Sequence, residues 1–262
     1  MELLTTAEPW TDRRRRASEL VEAYPHAAEM LRLYLALMDA WEPGLERLRD
    51  TPPAAGEVAA VAVRELLPAV LEATLAAGPK LLGEGLLRRF HEADLEGLVK
   101  SWLAGEELSS VDRYLARASA GPLLESMPRL ATAPQAPADE RHCPACGGLP
   151  QLAFFGISGE SLVSAPRRLL CSRCGQSWIY PRMVCAGCGS EDTARLPIYS
   201  DSERFAGLRI DACEACRRYL VTVDLPKDPA AVPVVDELAA VPLDLFARER
   251  GFQKIAPNLM GL

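Results

Sequence analysis

The sequence predicts an α+β protein: an N-terminal all-α helical domain, two small β modules in tandem, and a C-terminal helical tail. Three observations carry this expectation. Apolar residues over roughly the first 130 positions recur at helical spacing. All eight cysteines lie between Cys143 and Cys216, and every one belongs to a Cys-x-x-Cys pair. Short β-type runs alternate with those pairs and are bounded by them or by Gly and Pro. The boundaries that follow are a helical domain over 1–130, a linker over 131–140, metal modules over 141–182 and 183–224, and a tail over 225–262.

In the front half, Leu31, Tyr34, Leu35 and Met38 share one helical face, as do Val63, Leu66, Leu67, Val70 and Leu71. Leu95, Leu98, Val99 and Trp102 make another, and Ser109 or Ser110 is placed to cap a helix carrying Val111, Tyr114 and Leu115. Breaks are expected at Thr51–Gly56, Gly78-Pro79 and Gly121-Pro122. The stretch Ala131–Glu140 is small, Pro-rich and free of large apolar residues, which is the composition of a linker. Strand-like runs follow at Leu152–Phe155, Ser177–Tyr180, Leu196–Tyr199, Leu208–Ile210 and Tyr219–Val223. From Val234 to Gly251 helical spacing returns, with Pro242 dividing it into two short helices or kinking one.

With 262 residues, 49% of them apolar, the chain can bury a core without covalent staples. Charged residues make up 25% and the net charge is −7, which excludes a disordered solvating chain and a globally basic nucleic-acid binder. Residues 1–140 carry 15 basic and 23 acidic side chains, whereas 141–262 carry 14 and 13, so an acidic front meets a near-neutral back. The run Arg13–Arg16 is followed by the amphipathic, acidic Ala17–Glu22, so it reads as a solvated helix start and not as an export signal. No stretch reaches the length and apolarity of a membrane span; Leu31–Met38 is broken by Arg32 and flanked by Asp39 and Glu42. A soluble, cytoplasmic protein is expected. His26 and His91 stand alone and read as ordinary surface or core residues.

The cysteine pairs are Cys143/Cys146, Cys171/Cys174, Cys185/Cys188 and Cys213/Cys216, separated by 24, 10 and 24 residues. The equal outer gaps are a repeat. Two thiolates of one tight turn reach the same metal, and a second such turn completes a tetrahedral S4 set. Each half is therefore expected to be a zinc-ribbon or rubredoxin-like module. Four pairs can combine in three ways; the consecutive arrangement repeats one module twice and is favoured. Two metal ions per chain follow, and S4 geometry suits zinc and iron equally. Closed coordination leaves no position for a reacting water, so no catalytic role is expected. Gly147, Gly175 and Gly189 follow three pairs and suit a left-handed backbone there. Arg217 follows the fourth, which predicts a less regular turn. His142, beside Cys143, reads as an exposed neighbour more than as a ligand.

From Cys143 onward the sequence resembles the FdhE family of formate dehydrogenase accessory proteins. The matching pieces are Cys143-Pro144-Ala145-Cys146-Gly147, Leu169-Leu170-Cys171-Ser172-Arg173-Cys174 leading into Gln176-Ser177-Trp178, and Val184-Cys185-Ala186-Gly187-Cys188. After Cys213-Glu214-Ala215-Cys216 come Arg217-Arg218-Tyr219-Leu220 and Lys227-Asp228-Pro229. The resemblance covers about 120 residues; the front half shares only the helical pattern. Arg217 and Pro242 depart from it, standing where a small residue and a helix former are expected. The resemblance implies two rubredoxin-like modules behind a helical domain and a non-catalytic role in assembling respiratory formate dehydrogenase, through contact with its catalytic subunit in the cytoplasm. Two other functions compete. A nucleic-acid-binding zinc ribbon would use Arg167, Arg168 and Arg173 with Trp178 and Tyr180, although residues 141–218 hold only 10 basic against 7 acidic side chains. A rubredoxin-like electron carrier would require iron.

Overall fold

Apolar spacing and capping dictate the helices of the front half. The structure, a computed structural model, describes residues 10–131, 139–157 and 165–262. Most of the expected linker, 132–138, lies outside the described residues, as do residues 1–9 of the amino terminus. The helices are α1 (Trp10–Ala23), α2 (Ala28–Asp50), α3 (Val58–Val61), α4 (Leu67–Ala77), α5 (Lys80–Glu92), α6 (Leu95–Ala104) and α7 (Ser110–Ser126). Asp94 caps α6 by accepting from the Gly97 amide at 2.9 Å, and Gly105 ends it in the left-handed conformation. Ser109 caps α7. Between α3 and α4 the chain makes a π turn over Ala62–Leu66. Pro68 has no N–H to return to Arg64, and the Leu67 amide reaches back five residues to Ala62 instead.

Two expectations about prolines and arginines change. The break predicted at Gly121-Pro122 does not occur: α7 runs through Pro122. The Ala118 carbonyl, which loses its helical donor to that proline, accepts the Trp41 indole N–H at 2.7 Å. The Arg13–Arg16 run opens a helix as expected, but its charges are not simply solvated. Arg13 is buried and paired with Glu125, Arg14 with Asp39 and Glu42, Arg15 with Glu19, and Arg16 with Asp228 and Asp236. α1 is thereby tied both to α7 and to the tail.

The described residues of the back half form one sheet of seven strands: β1 (Pro150–Phe155), β2 (Arg167–Cys171), β3 (Ser177–Ile179), β4 (Ile198–Ser200), β5 (Leu208–Cys213), β6 (Arg218–Asp224) and the short β7 (Gln253–Lys254). The order is β3-β2-β1-β6-β5-β4, with β7 beside β6. Each ribbon is an antiparallel three-strand unit, and the two units join where β1 pairs with β6 in parallel, Leu152 opposite Val221 and Phe155 opposite Asp224. β2 escaped the sequence reading because its first two residues are Arg167 and Arg168, which break an apolar run. The tail is two helices, α8 (Pro233–Ala239) and α9 (Val241–Glu249), and Pro242 sits in the first turn of α9, where its missing N–H has no partner to lose.

Alternation along the strands builds two cores. One face, including Leu152, Phe154, Ile210, Val221 and Val223, packs with Leu243 and Ala247 of α9. Cys143, Cys146, Cys171 and Cys174 belong to the other core, continuous with Leu37, Trp41, Val99 and Leu123 of the helices. The first cysteine group is thus part of the helical core.

Candidate metal centres

Each Cys-x-x-Cys pair occupies a tight turn closed by a backbone hydrogen bond. Gly147 donates to the Cys143 carbonyl at 2.8 Å, Gly175 to Cys171 at 3.2 Å, Gly189 to Cys185 at 2.8 Å and Arg217 to Cys213 at 2.9 Å. The three glycines have φ of 70°, 67° and 77°, and Arg217 follows with 59°. The fourth turn is therefore built like the others, against the expectation of irregularity. Arg217 is the one non-glycine residue with positive φ among those described, and contacts beyond the turn hold it there. Its guanidinium lies 4.1 Å from the Phe252 ring centroid and donates to the Arg250 carbonyl. Amides of Arg173 and Gly187 point at the sulfurs of Cys171 and Cys185, each at 3.3 Å.

The turns meet as the consecutive arrangement requires. Cys143, Cys146, Cys171 and Cys174 form one group and Cys185, Cys188, Cys213 and Cys216 the other, with the sulfurs of each group within 4.8 Å of one another. Sγ separations are 3.7 Å for Cys143–Cys174, 3.4 Å for Cys146–Cys171, 3.7 Å for Cys185–Cys216 and 3.8 Å for Cys188–Cys213. All eight cysteines are free. A tetrahedral site with Zn–S bonds of about 2.3 Å has sulfurs about 3.8 Å apart, so each group could hold one ion with little adjustment. The electrostatics agree. Cys143 is held far below the usual thiol range by hydrogen bonds from Cys146, Cys171 and Cys174, while Cys174 is pushed far above it by bonds to the same group. Four sulfurs this close cannot all ionise unless a cation sits among them.

Comparison with known proteins places these features. Residues 183–260 match the family model for the C-terminal domain of FdhE. A curated relative from Aquifex aeolicus (strain VF5), "Protein FdhE homolog", is 38% identical over 122 residues, 47% of this chain and 42% of that protein. Its namesake from Haemophilus influenzae (strain PittGG) is 36% identical over 117 residues, 45% and 37% of the two chains. The matched stretch spans less than half the length of these curated relatives. The crystal structure of the FdhE protein from Pseudomonas aeruginosa superposes with a TM-score of 0.66 at 25% identity, covering 95% of this chain and 94% of that one. This chain's residues 183–260 match the FdhE C-terminal domain, and its fold is that of an FdhE protein. The likeness of fold reaches the helical front, where the sequence offered no specific motif.

Within this chain the two groups are unequal. The four cysteines of the first are all buried, whereas Cys188 and Cys216 of the second reach the surface. His142 joins neither group; it bonds Asp139 at 2.9 Å. His26 bonds the Ala239 carbonyl at 3.0 Å and packs edge-on to Phe205, an ordinary structural role. His91 packs against Phe90.

Several positioning residues escaped the sequence. Arg141, just before the first turn, donates to the Gly187 carbonyl of the third at 3.0 Å, and Asp139 orients it. The Tyr180 hydroxyl donates to the Cys185 carbonyl at 3.1 Å. Arg173 spans the first site, donating to the Cys146 carbonyl at 2.8 Å. No local signal marks such contacts: Arg141 and Arg173 reach turns distant in the chain, and Tyr180 reaches a backbone carbonyl, which no side-chain pattern specifies. Among the described residues, no helix is long and apolar enough to cross a membrane.

Proposed function

We propose that this chain is an accessory factor for maturation of respiratory formate dehydrogenase and acts in the cytoplasm by binding the enzyme's catalytic subunit. The supporting observation is the likeness to an FdhE crystal structure over nearly the whole chain, helical front included. In this reading the eight cysteines are the ligands of two metal ions, zinc or iron. A bound ion would supply folding energy and hold the turns of each ribbon in place. Four thiolates complete a tetrahedral set, so neither site has a position for water or substrate, in keeping with an assembly role instead of hydrolysis. Co-purification of the tagged full-length chain with the formate dehydrogenase catalytic subunit tests the reading. A deletion strain with fully active dehydrogenase would overturn it.

The nucleic-acid alternative loses its residues. Arg167 is buried against Asp211 at 3.3 Å and donates to the Val184 carbonyl. Arg168 binds Ser177, and Trp178 and Tyr180 are buried with their polar atoms bonded to the Glu140 and Cys185 carbonyls. One observation favours the electron-carrier alternative: the second cysteine group reaches the surface, where a redox partner could approach. Metal analysis decides it, because zinc in that site cannot change oxidation state.

A further inference from the structure

A cavity of about 750 Å³ lies beside the second cysteine group, where the sheet face that packs on the helical core runs past it. It runs along the ends of β1, β5 and β6 to the outer strand β4, and the chain segment around Arg182 and Met183 walls its other side. Phe155 forms part of its floor. Two guanidinium groups lie over that ring, Arg182 at 4.5 Å from the centroid and Arg209 at 5.0 Å. Arg209 is committed to Asp211 at 2.8 Å, and Asp211 also accepts from Thr222 and faces Arg167. Arg182 is different. It donates to a backbone carbonyl, that of Ala165, and among the described residues it has no carboxylate partner. Arg218, at the start of β6 on the opposite side of the cavity, has none among the described residues either.

Arg182 and Arg218 are, among the described residues, the two arginines lining this cavity that hold no carboxylate; Arg167 and Arg209 share Asp211. The rim of the same cavity holds Ile157, Met183 and Ile198, exposed by 62%, 53% and 55%. Three exposed apolar side chains around one concavity mark an interaction site more often than a solvated surface. Cations fixed over an aromatic floor and flanked by apolar side chains suit a ligand that offers carboxylates next to aliphatic groups.

We propose that this groove binds an extended acidic segment of a partner polypeptide. Its carboxylates sit on Arg182 and Arg218, and its aliphatic side chains lie against Ile157, Met183 and Ile198. A nucleic acid fits less well. The aromatic ring in the groove is buried beneath two guanidinium groups, which leaves no face for a base to stack on. The inference stands apart from the formate dehydrogenase reading, since it names the chemistry of the bound segment and not its owner.

The test is fluorescence anisotropy with the metal-loaded full-length chain. The probe is a labelled twelve-residue peptide alternating Asp or Glu with Leu or Ile. Its counterpart with Lys at every acidic position and a labelled oligothymidylate serve as comparisons. The acidic peptide is expected to saturate and the lysine peptide not to. Affinity should fall at least tenfold in Arg182→Glu and in Ile198→Asp, provided each variant keeps the metal content and unfolding midpoint of the parent. Leu81→Glu, on an exposed part of α5, should leave it unchanged. Absence of saturable binding, equal binding of the lysine peptide, or indifference to both groove variants would overturn the proposal. Tighter binding of oligothymidylate with loss in the same variants would reassign the groove to nucleic acid.

Discussion

The indole N–H of Trp41 donates to the carbonyl of Ala118 across 2.7 Å inside the helical core. That carbonyl is the one a residue at position 122 would ordinarily satisfy within the helix, and Pro122 cannot. A side chain from α2 thus stands in for the missing backbone donor of α7 and lets a proline persist in a buried helix. Trp41→Phe keeps most of the packing and orphans the carbonyl, so the expected loss is about 1–3 kcal/mol, read as a lowered denaturant midpoint with an unchanged slope. In a Pro122→Ala background the backbone can supply its own bond, and the same substitution should cost less. Equal costs in the two backgrounds would sink the account.

The inequality of the two cysteine groups sets an order of metal loss. The first group is buried in the core it shares with the helices, and the second reaches solvent through Cys188 and Cys216. With a chelator present, one metal per chain should leave well before the other. Cys188→Ser should retain the slower ion and the helical circular dichroism. Cys146→Ser should lose stability throughout, because a structural S4 site contributes folding energy directly. Simultaneous release of both ions, or the reverse order in the variants, would contradict this.

Lys254 sits between two carboxylates, 2.7 Å from Glu237 and 3.1 Å from Asp244, with all three side chains removed from solvent. Burial raises the Glu237 carboxyl above its ordinary range and the lysine opposes that rise. Lys254→Met leaves two uncompensated buried acids and should cost about 3–5 kcal/mol. A carboxyl raised in the folded state favours the protonated form. The deficit should therefore be smaller near pH 5 than near pH 8, as urea titrations at the two values would reveal. A deficit independent of pH would mean that the carboxylates are not the cause.

Alkaline conditions report on the helical core. Tyr114 is pushed up to about 12 by burial, against which its bond to Thr74 acts only partly. The unfolded chain ionises this phenol near 10, so between pH 10 and 12 the unfolded state binds fewer protons and stability falls as pH rises. The slope from this group is at most about 1.4 kcal/mol per pH unit. Tyr114→Phe should flatten that part of the profile while lowering stability at neutral pH through loss of the bond to Thr74, whose hydroxyl keeps only its bond to the Val70 carbonyl. A profile as steep as that of the parent would assign the alkaline loss to other groups.

The sequence by itself determined the α+β order of elements, the four Cys-x-x-Cys turns and the family resemblance of the back half, and favoured the consecutive grouping that the structure then decided. Those features are local or periodic: two thiolates share a turn because two residues separate them, and helices are written at a period of 3.6. Tertiary structure alone decided the rest. The parallel pairing of β1 with β6 merges the two ribbons into one sheet, and β2 hides behind two arginines whose partners lie elsewhere in the sheet and in the following turns. Arg217 holds a left-handed turn through contacts in the tail, and Pro122 stays in its helix through a tryptophan 81 positions earlier. Arg16 finds Asp236 at 2.5 Å across 220 residues. Such contacts have no spacing to read. They depend on surfaces that meet only once the helical domain, sheet and tail have packed, and that same packing buries one metal site and leaves the other at the surface.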